Sequence, residues 1–168
     1  MSKQEISIAE AKQDKLQYVV ANFVVVNPAE RTVLLLQRSN EEKVHPGKWA
    51  FPGGKLEHDN IAKMIEEEEV DPLEGVEDVL GKLAMRETLE ESGLTVISRD
   101  DVILKNKVFI RPDKVPVFMV SLMAEYQGGE VILEKGFIDS AWSTEQQLDS
   151  YDCIRGVREE ARKALNLL

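Results

Sequence analysis

Apolar runs alternate with polar, turn-rich stretches along most of the chain, and the period of each run predicts its element. Tyr18–Val26 is rich in valine and reads as a buried strand. Asn27-Pro28-Ala29-Glu30 supplies turn chemistry, and Thr32–Gln37 reads as the returning strand of a hairpin. Ser39–Gly47 is polar and predicts a loop. Trp49-Ala50-Phe51 then leads into Pro52-Gly53-Gly54, where the backbone must turn sharply or approach another group closely.

Beyond Gly54 the period changes to that of a helix. Ile61, Met64 and Ile65 predict a short helix that Pro72 should end. Val76, Val79, Leu80, Leu83 and Ala84 form a second helical stripe, and Gly93 stands where a C-terminal cap belongs. Strand-like runs follow at Val102–Leu104, Lys107–Ile110, Val115–Glu125 and Glu130–Leu133. Thr144 to Leu168 reads as one short and one longer helix. Strands early and in the middle, with helices between and at the end, predict an α/β or α+β class with a sheet covered by helices.

The chain has 168 residues, 43% hydrophobic and 31% charged, which suits one domain with a real core. Its net charge of −10 argues against duplex nucleic acid and anionic membranes as partners. A small phosphorylated substrate stays open, because a metal ion can supply positive charge locally. A single cysteine, Cys153, excludes an intramolecular disulfide framework and a multi-cysteine zinc site. The first 17 residues read as an extension without a signal-peptide core. No apolar run approaches the roughly 18 residues of a membrane span, so the expected location is the cytoplasm.

Candidate chemistry concentrates on the second helix. Glu87, Glu90 and Glu91 stand at i, i+3 and i+4, on one helical face. Clustered carboxylates repel one another and suit a hard divalent cation such as Mg²⁺, which prefers oxygen ligands and completes its shell with water and substrate phosphates. The other acidic run, Glu66–Glu69, reads as a solvated helix face. What sets Glu87, Glu90 and Glu91 apart is the Gly-Gly loop that precedes them, delivered by a strand.

Arg86-Glu87-Thr88-Leu89-Glu90-Glu91-Ser92-Gly93-Leu94, with Phe51-Pro52-Gly53-Gly54 ahead of it, resembles the signature of the Nudix hydrolases. That box reads Gly, five residues, Glu, seven residues, then Arg-Glu-aliphatic-any-Glu-Glu-any-Gly-aliphatic. Leu34–Ser39, Pro46–Trp49 and the late Trp142-Ser143 step are also similar to the family's pattern, so the likeness runs from about Tyr18 to Leu168. Thr88 replaces an aliphatic residue. The larger departure is spacing: Gly54 to Arg86 is 86 − 54 = 32 positions where the box has 14, an insertion of about 18 residues, near 58–77. Counting back eight from Arg86 puts Asp78, with Glu77 beside it, in the place of the first box glutamate.

The resemblance implies an α/β/α sandwich with a mixed sheet. It also implies metal-dependent hydrolysis of a pyrophosphate bond in a nucleoside di- or triphosphate, or in a nucleoside diphosphate linked to another group. Glu87, Glu90 and Glu91 would hold Mg²⁺ or Mn²⁺, helped by the Gly53 carbonyl, and Arg86 would orient them through ion pairs. Glu134 or Glu130, or else Glu87 or Glu91, would serve as the base. Arg38, Lys48 and Gly54 would meet the substrate. His45 and His58 lack zinc spacing and read as loop polarity, while Cys153 and Tyr151 read as packing residues. Two alternatives stand beside the hydrolase: a nucleotide-sensing module on the same fold, and a prenyl diphosphate isomerase, for which no suitable Cys and Glu pair is visible. A homodimer is compatible with the sequence, which leaves the oligomeric state open.

Overall fold

Valine and leucine at consecutive positions leave the first two strands no polar face, so both must be covered on both sides. β1 (Tyr18–Asn27) and β2 (Thr32–Arg38) form the expected antiparallel hairpin. The computed structural model describes residues 18–70, 75–111 and 113–168. The extension at residues 1–17 and Pro72 lie outside the described residues. β1 also pairs in parallel with β6 (Pro116–Gly128) and antiparallel with β4 (Gly53–Lys55). β2 pairs with β3 (Trp49–Ala50) and β7 (Phe137–Ser143), and β5 (Thr95–Ile110) closes the other side against β6. The mixed sheet runs β3-β2-β1-β6-β5, with β4 and β7 off that path.

Successive residues of β1 feed two cores. Ala21, Phe23 and Val25 meet Leu83 and Ala84 of α2 (Val79–Ser92) and Met64 of α1 (His58–Glu68) on one face. Val24 and Val26 meet Ala161, Ala164 and Leu165 of α3 (Val157–Asn166) on the other, with Leu148 of a 3-10 helix at Glu145–Ser150. Helices therefore cover the sheet on both sides, the α/β/α layering expected from the resemblance.

Three expectations change. Val102–Leu104 and Lys107–Ile110 are parts of one strand that begins at Thr95, directly after the helix cap at Gly93 (φ 74°). Glu130–Leu133 is not a strand. Gly128 and Gly129, both with positive φ, end β6. The following backbone then donates to the last carbonyls of α2, Ile132 N–H to Ser92 at 2.9 Å and Glu134 N–H to Glu91 at 3.1 Å. Those carbonyls have no intrahelical donors, so the loop acts as their cap. Finally, α1 ends in a left-handed residue, Glu69 (φ 53°), before Pro72 is reached.

Candidate active site

The buried stripe of α2, Leu83, Ala84, Thr88 and Ser92, fixes the rotation of the helix against the sheet. Glu87 and Glu91, one turn apart, are thereby aimed at the β4 loop. The carboxylate of Glu87 lies directly on Gly54, where any Cβ would overlap it. Gly53 N–H donates to Glu91 Oε2 at 2.9 Å. The two glycines are a cradle for two carboxylates. Gly53 is further confined by the Ala21 carbonyl, 2.5 Å from where its Cβ would stand.

Burial is the main reason the Glu91 carboxyl is pushed up to about 8; the Gly53 N–H works against that, and the charges of Glu87 and Glu134 add to it. Glu87 is raised for the same first reason, then by Glu90, with Arg86 opposing. Both groups thus hold their negative charge at a cost in the free protein.

The 130–134 loop places Glu134 next to Glu91. Glu90 is exposed and close enough for its charge to act on Glu87, and it does not line the cleft. Arg86 differs from expectation: its ion pair is with Glu67 of the inserted helix, at 3.3 Å, and its buried Nη1 has no partner. Asp78 precedes α2 in a left-handed conformation, and the Glu77 carbonyl accepts from Lys82. Counted forward from Gly54, the box glutamate position is Asn60, whose Oδ1 caps α1 through Glu57 N–H at 2.9 Å. The run Glu66–Glu69 is not merely solvated, since Glu67 pairs with Arg86 and Glu68 with Lys82 at 2.5 Å.

Glu87, Glu91, Gly53 and Gly54 open onto a cleft of about 880 Å³ over the α3 side of the sheet. Arg38 lines it, with its guanidinium holding the 39–47 loop through the Val44 carbonyl (3.0 Å) and Glu42 (2.6 Å). Lys48 stands outside the cleft lining, bound to Asp152 at 2.7 Å. His45 lies in the lining, and burial, with the nearby charges of Arg38, Lys48 and Lys107, holds its imidazole below the ordinary histidine range. Tyr151 packs edge-on against Trp49 at 4.9 Å, as a core contact. Sequence reasoning missed Glu57, Asn22, Lys107, Phe109, Arg111 and Arg155, all of which line the cleft. The alternation Lys107-Val108-Phe109-Ile110-Arg111 carried the signal, with every second residue polar or aromatic on one strand face.

Among the described residues, no three His, Cys, Asp or Glu side chains converge tightly enough to hold a metal as they stand. The donor set nevertheless fits a hard cation. Two partly buried carboxylates raised by desolvation, with Glu90 near enough to raise Glu87 further, are what such an ion would neutralise. No described helix is long and apolar enough to cross a membrane.

A NUDIX domain family model matches residues 15–165. The fold is shared with solved structures at low identity. A MutT protein from Methanosarcina mazei Go1 is 20% identical, with 93% of this chain and 98% of that one covered at a TM-score of 0.67. An Ap4A hydrolase from C. elegans is 17% identical, covering 89% and 96% at 0.61. An ADP-ribose pyrophosphatase from Streptococcus suis is 17% identical, covering 90% and 92% at 0.58. Compared with the curated proteins, the sequence matches none.

Proposed function

This chain belongs to the NUDIX family, and we propose that it hydrolyses a phosphoanhydride bond of a nucleotide with Mg²⁺ or Mn²⁺ as cofactor. The substrate class is a nucleoside di- or triphosphate, or a nucleoside diphosphate linked to another moiety. One observation carries the reading: Glu87 and Glu91 sit on Gly54 and Gly53 at the inner wall of a cleft large enough for a nucleotide.

In this proposal Glu87, Glu90 and Glu91 hold the cation, with the Gly53 N–H fixing how Glu91 presents its free oxygen. When bound, the cation would neutralise the diphosphate and, by drawing charge onto its oxygens, make phosphorus more open to attack. Glu134 accepts the proton of the attacking water at its carboxylate, which its place beside Glu91 supports. Water adds at one phosphorus and the bridging oxygen leaves with the other phosphate. Arg86 is a positioning residue: it ties α2 to the inserted helix and offsets part of the charge on Glu87. Arg38 holds the 39–47 loop at the mouth.

The test is release of phosphate, pyrophosphate or nucleoside monophosphate from a nucleotide panel with Mg²⁺, with Mn²⁺ and with EDTA. Turnover is expected only with metal. Glu91→Gln and Glu90→Gln should abolish it, and Glu134→Gln should lower kcat by about 10²–10⁴-fold. Nucleotide binding without turnover under every metal condition would instead make the chain a nucleotide-sensing module.

A further inference from the structure

The floor of the cleft is the sheet itself, and its register sets charged groups at two ends. Lys55, Val20, Met119 and Lys107 form one row across β4, β1, β6 and β5, and all four line the cleft. With strands about 4.8 Å apart, the β5 end of that row lies roughly 14 Å from β4, where Glu87 rests on Gly54. The acidic end and the Lys107 end are therefore separated by apolar floor. On the same face of β5, two residues on, Phe109 is partly exposed beside Lys107, whose Nζ stands 5.0 Å from the ring centroid. Arg155, immediately before α3, lines the same cleft.

Charge pairing divides these cations. Arg38 is engaged by Glu42, Lys55 by Glu57 and Arg111 by Asp113, and the buried Glu160 has Lys105. Lys43, Lys107 and Arg155 have no ion-pair partner among the described residues; Lys43 belongs to the 39–47 loop that Arg38 holds, whereas Lys107 is on β5 and Arg155 just ahead of α3. A chain with ten more acidic than basic residues has left three cations of this cleft unpaired. An anionic ligand group is the complement they lack.

Resting on the hydrolase reading for the other end of the cleft, we infer that Lys107 and Arg155 form an anion subsite. Its ligand is a phosphate monoester carried on the nucleoside part of the substrate, apart from the scissile diphosphate. The separation across three strand spacings excludes the next phosphate of a polyphosphate chain, which stays beside the scissile bond. A nucleoside fills the interval, with Phe109, Val20 and Met119 offering apolar surface to its rings.

Two arms test this. In the first, ADP-ribose and its 2′-phosphorylated form are titrated calorimetrically in EDTA. The extra phosphate should tighten binding about tenfold or more, the scale of one charge-assisted hydrogen bond. Lys107→Gln with Arg155→Gln should erase that gain, Lys107→Arg should keep it, and Lys163→Ala, a charge removed from the exposed side of α3, should leave it unchanged. In the second arm, with Mg²⁺, NADPH should have a lower KM than NADH, and coenzyme A than its dephospho form, at similar kcat. The double variant should equalise each pair while leaving the ratio of ATP to ADP unaltered. A wild-type preference near one, or a preference that survives the double variant, overturns the subsite even if hydrolysis is brisk. Absence of turnover with the EDTA preference intact and lost in the variant overturns the hydrolase reading and upholds the subsite.

Discussion

Glu91 combines two opposing demands. Its oxygen is held by the Gly53 N–H, which favours the charged form, yet burial and neighbouring carboxylates push its carboxyl up to about 8. The unfolded chain releases that proton near the ordinary carboxylate range, so between about pH 5 and pH 8 the folded state binds more protons than the unfolded one. Stability of the metal-free protein must then fall as pH rises through that window and level off above it. A melting series in EDTA from pH 5 to 9 should show Tm declining, with Glu91→Gln flattening the decline. Mg²⁺ or Mn²⁺ should raise Tm most at the alkaline end, because only the charged carboxylate binds a cation. A Tm that climbs with pH in EDTA would contradict the account. At this scale the glutamates were legible from their i, i+4 spacing, and Gly53-Gly54 from the turn they imply. The alternation through Lys107, Phe109 and Arg111 put these three on one strand face, but which cleft that face lines was not legible, nor was Arg155, because a lone cation acquires meaning only when register and a helix start bring it to the same cleft.

The inserted helix shows how little an acidic run reveals by itself. Glu67 and Glu68 reach Arg86 and Lys82 across to α2, while Met64, only 2% exposed, is driven into the core beneath. These contacts differ greatly in weight. An exposed ion pair contributes about 0–1 kcal/mol, whereas truncating a buried methionine costs about 2–5 kcal/mol. Denaturant melts should therefore show Met64→Ala destabilised by a few kcal/mol and Glu68→Ala by less than about 1 kcal/mol. Equal effects would mean that charge, not burial, docks α1. The Ile61, Met64 and Ile65 period predicted the helix, but its partner was hidden, since an acidic face is identical in sequence whether it meets water or a neighbouring base. The stretch Glu130–Leu133 failed for a related reason. Its Val131, Ile132 and Leu133 fit a strand by composition, yet Gly128-Gly129 turns the chain and the backbone donors are drawn to the orphan carbonyls of α2.

Across the whole molecule, long-range and local electrostatics point in opposite directions. Net charge −10 produces a repulsive field toward any extended polyanion, while the cleft holds unpaired cations at one end and carboxylates suited to a metal at the other. Which field a ligand experiences depends on its size relative to the Debye length, about 10 Å at 0.1 M salt. A nucleotide inside the cleft lies within that distance of Lys107 and Arg155 and is shielded from most of the remaining surface. A nucleic-acid duplex is too wide to enter, and each added phosphate meets acidic surface without releasing counterions to basic groups. Fluorescence anisotropy with a labelled duplex should thus show no binding at micromolar protein from 50 to 200 mM salt, in the same buffers where a small phosphorylated nucleotide binds. Duplex binding that weakened steeply with salt would require a basic surface elsewhere on the chain, and would remove the argument that the cleft alone selects the anion.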